Sequence, residues 1–223
     1  KISVPKSTLN EIYKKVRNFP WSAAQNMNGW EYGTNLNYLK NISKYWITKY
    51  NWKKFENKIN SFKNYKTKVE DINLHFIFEK SKNPNSKPLL LLHGWPGSIT
   101  EFLDIIPRLA HPEKFGGKIE DGFDIIVPSL PGFGFSSQIK KALGPRKIGK
   151  ILNKFMVKNL GYKNYFVQGG DWGATIAGWI GLDSSKNCKG IHINCLPLRH
   201  PKGTKNVKEK KWEKKFNFDQ IMQ

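Results

Sequence analysis

The sequence is poor in cysteine and arginine, short of acidic groups, and has no long apolar run. Two cysteines, Cys188 and Cys195, cannot make a disulfide framework. They bracket one short apolar segment and are expected as buried free thiols in a reducing compartment. No stretch approaches the ~20 apolar residues that span a bilayer. No signal peptide is visible, so a cytoplasmic protein is expected, membrane-associated only if an anchor precedes Lys1. His75, His93 and His111 are too scattered to be metal ligands, and no cofactor is expected.

Acidic residues number 17 against 38 basic ones, a net charge of +21. Such a balance ordinarily points to nucleic acid or an anionic surface. The scarcity of arginine argues otherwise. Arginine occurs only at Arg17, Arg108, Arg146 and Arg199, so the positive charge is almost all lysine. Arginine is the side chain that makes bidentate contacts to phosphates and bases. The densest block, Lys208 to Lys215, is interspersed with Glu209 and Glu213 and reads as a solvated helix. Together with abundant Asn and Ile, the lysine excess reads as a base-composition bias, and no nucleic-acid partner is expected.

Against those absences stands one dense motif, Gly169-Gly170-Asp171-Trp172-Gly173. It follows the apolar run Tyr165-Phe166-Val167 and opens a helix of small residues, Ala174 to Ala177. Strand, sharp turn and helix, with glycine two residues either side of the tip, is the nucleophile elbow of α/β-hydrolases. The tip carries Asp where Ser is usual. A carboxylate is already anionic at neutral pH and attacks electrophilic carbon directly, giving an ester. Only hydrolysis of that ester then needs a general base. Strained or activated substrates such as epoxides and alkyl halides suit this chemistry. An Asp that merely caps a helix after a glycine turn is the alternative reading.

Two further segments fit the elbow. Leu89 to Leu92 reads as a strand buried on both faces, and it runs into His93-Gly94-Trp95-Pro96-Gly97-Ser98. In a hydrolase of this class the loop at this position supplies one backbone N–H of the oxyanion hole and the residue after the nucleophile the other; those donors would be Trp95 and Trp172. Ser98 and Glu101 have the spacing of a capping box, with Phe102, Ile105, Ile106 and Leu109 following at helical spacing. Phe123 to Pro128 reads as another buried strand, ending in the turn Ser129 to Ser136. There Phe133 and Phe135 either line a pocket or pack the loop down.

The remaining pattern is simpler. Residues 8–18 read as a helix, and 21–33 as a loop with Trp21 and Trp30 as packing anchors. Leu36 to Tyr50 and Trp52 to Ile59 read as helices broken near Asn51, forming an arm that grips the body. Ile72, Leu74, Phe76 and Phe78 alternate as a strand. Ile148 to Leu160 reads as a helix stopped by Gly161.

The His93–Ser98, Pro128–Ser136 and Gly169–Gly173 motifs together resemble the microsomal-type epoxide hydrolases, the group that includes the juvenile hormone epoxide hydrolases. In the N-terminal third, Trp46, Trp52 and Lys66 to Phe76 are similar to that group's extra region. The resemblance implies an α/β-hydrolase fold with an N-terminal helical arm. The expected division is 1–65 for the arm, 66–197 for the first half of the core, and 198–223 for the start of a lid. It implies Asp171 as nucleophile, Trp95 and Trp172 as oxyanion donors, and Trp95, Trp172 and Phe133 around a small apolar epoxide. It also implies a His base, an acidic partner and two lid tyrosines.

Those last groups have no evident counterparts here. His192 reads as part of a strand and His200 as part of the lid, neither where the base belongs. Asp183, Glu209, Glu213 and Asp219 are poor candidates for the acid, and no Tyr follows Tyr165. The sequence starts without Met and stops in mid-pattern, so a fragment or truncated gene model, inactive alone, is expected. A haloalkane dehalogenase, which also places Asp before Trp, and a non-catalytic remnant are the alternatives.

Overall fold

The computed structural model describes residues 1–23 and 29–195. His200, Glu209, Glu213, Asp219, the Lys208–Lys215 block and the expected lid lie outside the described residues.

Six strands form one mixed sheet: β1 (Asn64–Val69), β2 (Ile72–Glu79), β3 (Lys87–Leu92), β4 (Phe123–Pro128), β5 (Tyr165–Gly169) and β6 (Cys188–Ile193). Their spatial order is β1-β2-β4-β3-β5-β6. β3, β4, β5 and β6 run parallel, whereas β2 is antiparallel to β1 and β4. The chain leaves β3 to one side to make β4, then crosses to the other side to make β5. The carboxyl ends of β3 and β5 therefore diverge around a crevice, the usual binding position in an open α/β sheet.

Both faces of the central strands are buried, which accounts for their unbroken apolar runs. On one face Leu90, Leu92, Ile126 and Val167 pack beneath α5 (Pro145–Lys154) and α6 (Trp172–Asp183). On the other, Leu91, Ile125 and Val127 meet Ile99, Leu103 and Ile106. β1 was not legible as a strand. It is an edge strand in which only Val69 is buried, so no apolar alternation marks it.

Three expectations are corrected. The segment after Ser98 is not one helix: a 3-10 turn, Ile99–Phe102, is followed by a short α4 (Ile106–Ala110) carrying Pro107 in its first turn. Ser98 Oγ does cap it, but by accepting from the Thr100 amide. Trp30 is no anchor; it is 58% exposed and only tilts against Tyr38. Cys188 is buried but Cys195 is exposed. The arm holds the body through α3 (Trp52–Asn60), whose Ile59 enters the second core. Asn60 and Glu56 on α3 also take up the backbone of Ile2 and Val4. α1 (Lys6–Arg17) and α2 (Leu36–Thr48) keep Ile42, Tyr45 and Trp46 exposed.

Elsewhere the pattern and the coordinates agree. Asn51 caps α3 at the expected break. α5 runs on through a π-helical turn, Phe155–Asn159, before Gly161 takes a left-handed φ of 78°. No helix among the described residues is long and apolar enough to cross a membrane.

Candidate active site

Asp171 sits between β5 and α6 with φ 52° and ψ −122°, a conformation costly for a residue with a Cβ. The glycines two residues away make that bend feasible. A methyl group on Gly173 would overlap the Leu92 carbonyl oxygen and lie 2.9 Å from the His93 oxygen. One on Gly169 would overlap the Gly173 carbonyl and lie 2.8 Å from the Ala174 nitrogen. Backbone therefore touches backbone on both sides of the tip, and only glycine fits.

The strained turn aims the Asp171 carboxylate across the crevice at the loop after β3. Trp95 N–H donates to Asp171 Oδ1 at 2.8 Å. Gly94 lies flat against the same carboxylate, where a Cβ would be 2.7 Å from Asp171 Cγ. Trp172 is the first residue of α6, so its amide is one that the helix itself leaves unsatisfied. The helix N-terminus adds partial positive charge beside the carboxylate. Asp171 forms no salt bridge among the described residues. It is thus a solvent-facing anion held by an amide.

Two buried histidines brace the loops around it. His93 Nε2 accepts from Leu130 N–H at 3.1 Å, which places the ring proton on Nδ1, 3.0 Å from the Gly94 oxygen. Burial pushes its pKa below the usual imidazole value. His93 is therefore a neutral strut between the β3 and β4 loops, not a base. His75 Nδ1 meets Ser129 Oγ at 2.9 Å and its Nε2 meets Asn64 Oδ1 at 3.0 Å. Asn64 donates its own amide to Ile59 and Phe62 carbonyls, so its oxygen faces the ring and Nε2 carries the proton. Burial, with a smaller contribution from Lys66, lowers His75 to about 4. Sequence alone gave no reason to link His75 to the site; the link is made by the antiparallel return of β2 beside β4.

The two phenylalanines of the β4 loop pack on these struts. Phe133 lies edge-on to His93 with ring centroids 5.4 Å apart, and Phe135 lies edge-on to His75 at 5.2 Å. The indoles flanking Asp171 stay open, Trp95 at 68% and Trp172 at 45% exposure.

The other candidates are not brought to the carboxylate. His192, on β6, pairs with Gln168 of β5 and lines a cavity of about 860 Å³ on the sheet face. Asp183 ends α6, twelve residues or about 18 Å along the helix axis, and is held by a bidentate bond from Arg146. No cluster of three metal-ligating side chains occurs among the described residues. Glu101, read from sequence only as a cap, is the residue near the site whose place the sequence did not disclose.

Comparison with known proteins accords with this geometry. Residues 1–102 match the family model described as "Epoxide hydrolase N terminus", and residues 87–218 match "alpha/beta hydrolase fold". Epoxide hydrolase 1 of Oryctolagus cuniculus is 36% identical over 90% of this chain and 45% of its own length. The crystal structure of juvenile hormone epoxide hydrolase from the silkworm Bombyx mori superposes with a TM-score of 0.80 at 30% identity, covering 100% of this chain and 51% of that one. An Aspergillus niger epoxide hydrolase gives a TM-score of 0.74 at 27% identity, over 98% of this chain and 59% of its own. The chain spans about half the length of the relatives it matches. It belongs to the α/β-hydrolase family, with an N-terminal region of the epoxide hydrolase type.

Proposed function

We propose that this chain carries the nucleophilic half of an epoxide hydrolase. The observation that carries the reading is Asp171 Oδ1 receiving the Trp95 amide at 2.8 Å on a strained elbow that only flanking glycines permit. With Oδ1 held, Oδ2 attacks an epoxide carbon. The carbon–oxygen bond of the strained ring breaks and the departing oxygen takes a proton from a donor. The product is a hydroxyalkyl ester of Asp171. Water then adds to the ester carbonyl, and the developing oxyanion is met by the Trp95 and Trp172 amides. Collapse releases a diol and restores the carboxylate.

The exposed indoles of Trp95 and Trp172, with half-buried Phe133 of the turn after β4, suit a small apolar epoxide. The described residues supply nucleophile and oxyanion donors. The general base and the proton donor come from outside them, because His93 is a strut and His192 lies on the sheet face. The N-terminal match favours an epoxide over an alkyl halide. Asp171→Ala in the full-length protein is expected to abolish diol formation from an aromatic or aliphatic epoxide without changing the far-ultraviolet circular dichroism. Retained turnover in that variant would refute the assignment.

A further inference from the structure

Glu101 stands on the 3-10 turn that follows the Trp95 loop, and its side chain folds back onto that loop. A methyl group on Gly97 would overlap Glu101 Oε1 and lie 2.7 Å from its Cδ. The carboxylate lies on Gly97 beside the Ser98 backbone N–H, and the charge of Asp171 also acts on it. Burial, more than that charge, pushes the Glu101 pKa up, while the Ser98 amide pulls it down.

The loop is thus gripped from both ends by carboxylates. Asp171 takes the amide of Trp95, and Glu101 packs its carboxylate on Gly97, two residues later. Gly94 and Gly97 are bare because each lies directly against one of these carboxylates. Ser98 also holds this end through its Oγ, which bonds onward to Thr100, and through its carbonyl oxygen, which accepts from the Glu101 N–H at 3.2 Å. We propose that Glu101 is a positioning residue for the oxyanion donor: by seating its carboxylate on Gly97, beside the Ser98 amide, it sets the direction in which the Trp95 N–H points.

This inference rests on the reading of Asp171 as nucleophile, and its consequence differs between the two chemical steps. Ester formation needs the carboxylate to attack, which a loosened loop affects weakly. Ester hydrolysis builds charge on the oxygen that Trp95 N–H must meet, so it depends on the direction of that amide. Glutamine at 101 keeps an acceptor oxygen for Ser98, whereas alanine does not.

The test compares wild type, Glu101→Gln and Glu101→Ala in the full-length protein by two readouts. The first is hydrogen exchange at the backbone amides of residues 95–98, which needs no substrate. The second is a quenched single turnover with an epoxide, which separates formation of the ester from its breakdown. In Glu101→Ala the amides are expected to exchange at least ~10-fold faster. Ester breakdown in that variant is expected to slow by ~100-fold, the lower range for losing one oxyanion donor, with ester formation changed far less. Glu101→Gln should stay within a few-fold of wild type in both. Unchanged exchange in Glu101→Ala, equal slowing of both steps, or a glutamine variant as impaired as alanine would overturn the proposal. A wild type that forms no ester would refute the nucleophile assignment instead, and the exchange comparison would still decide whether Glu101 braces the loop.

Discussion

Placing a single methyl group on Gly173 should disable the site more than its size suggests. The added Cβ of Gly173→Ala would overlap the Leu92 oxygen and lie 2.7 Å from the Leu92 carbon and 2.9 Å from the His93 oxygen. All three atoms are backbone, so no side chain can rotate away. Ordinary carbon–oxygen contact is about 3.3–3.6 Å, which requires the start of α6 to move from the end of β3 by roughly 1 Å. Overpacking of this kind costs about 1–3 kcal/mol. The larger effect is geometric. The same movement separates Asp171, at the start of α6, from Trp95, just beyond β3, and a 1 Å misplacement costs on the order of 100-fold in rate. Gly178→Ala on the same helix is the control. Nothing lies within 4 Å of its Cβ position, so alanine there should add about 0.5–1 kcal/mol through helix propensity. Urea denaturation midpoints and initial rates of diol formation, measured on both variants of the full-length protein, separate the effects. A Gly173→Ala enzyme with wild-type rate and stability would refute the claim that backbone closure sets the elbow.

Other consequences follow from the buried polar groups. His75 is neutral when folded and titrates near 4, against about 6.5 in an unfolded chain, so unfolding takes up a proton between those values. Stability should be complete above pH ~6.5 and fall by at most about 3 kcal/mol as the pH approaches 4. His75→Gln should flatten that slope in urea titrations at pH 7, 5.5 and 4.5. Asp124 is buried, which alone would raise its pKa, yet bonds from Lys80, Ser86, Tyr162 and the Ser81 amide hold it low. Asp124→Asn should therefore cost about 2–3 kcal/mol while leaving the ester-forming step unchanged, because this cluster sits at the opposite ends of β3 and β4 from Asp171. A loss of chemistry without a loss of stability would contradict that placement.

The parts of this molecule that were legible in the sequence are those where one residue type is demanded by geometry. Gly169 and Gly173 are required by backbone contact, and the Leu89–Leu92 run is required by a strand buried on both faces. Local pattern was enough for both. It failed where a feature depends on a partner distant in the chain. β1 shows no alternation because it is an edge, and Trp30 anchors nothing because its surroundings are not a core. His75 joins the site through Ser129, 54 residues away, a pairing that only the sheet order creates. Glu101 sits within three residues of Ser98, yet its closeness to Gly97 comes from the tightness of the 3-10 turn, which the helical spacing of Phe102, Ile105 and Leu109 concealed.

The account turns on whether the carboxylate oxygen of Asp171 itself becomes bonded to the substrate carbon. A single turnover of the full-length protein in H2(18)O, with enzyme in excess over epoxide, tests this directly. The heavy oxygen is predicted to appear in the carboxylate of the peptide containing Asp171, and the first diol to be unlabelled. Label in that first diol, with none in the peptide, would mean that water attacks the epoxide directly and would contradict the account.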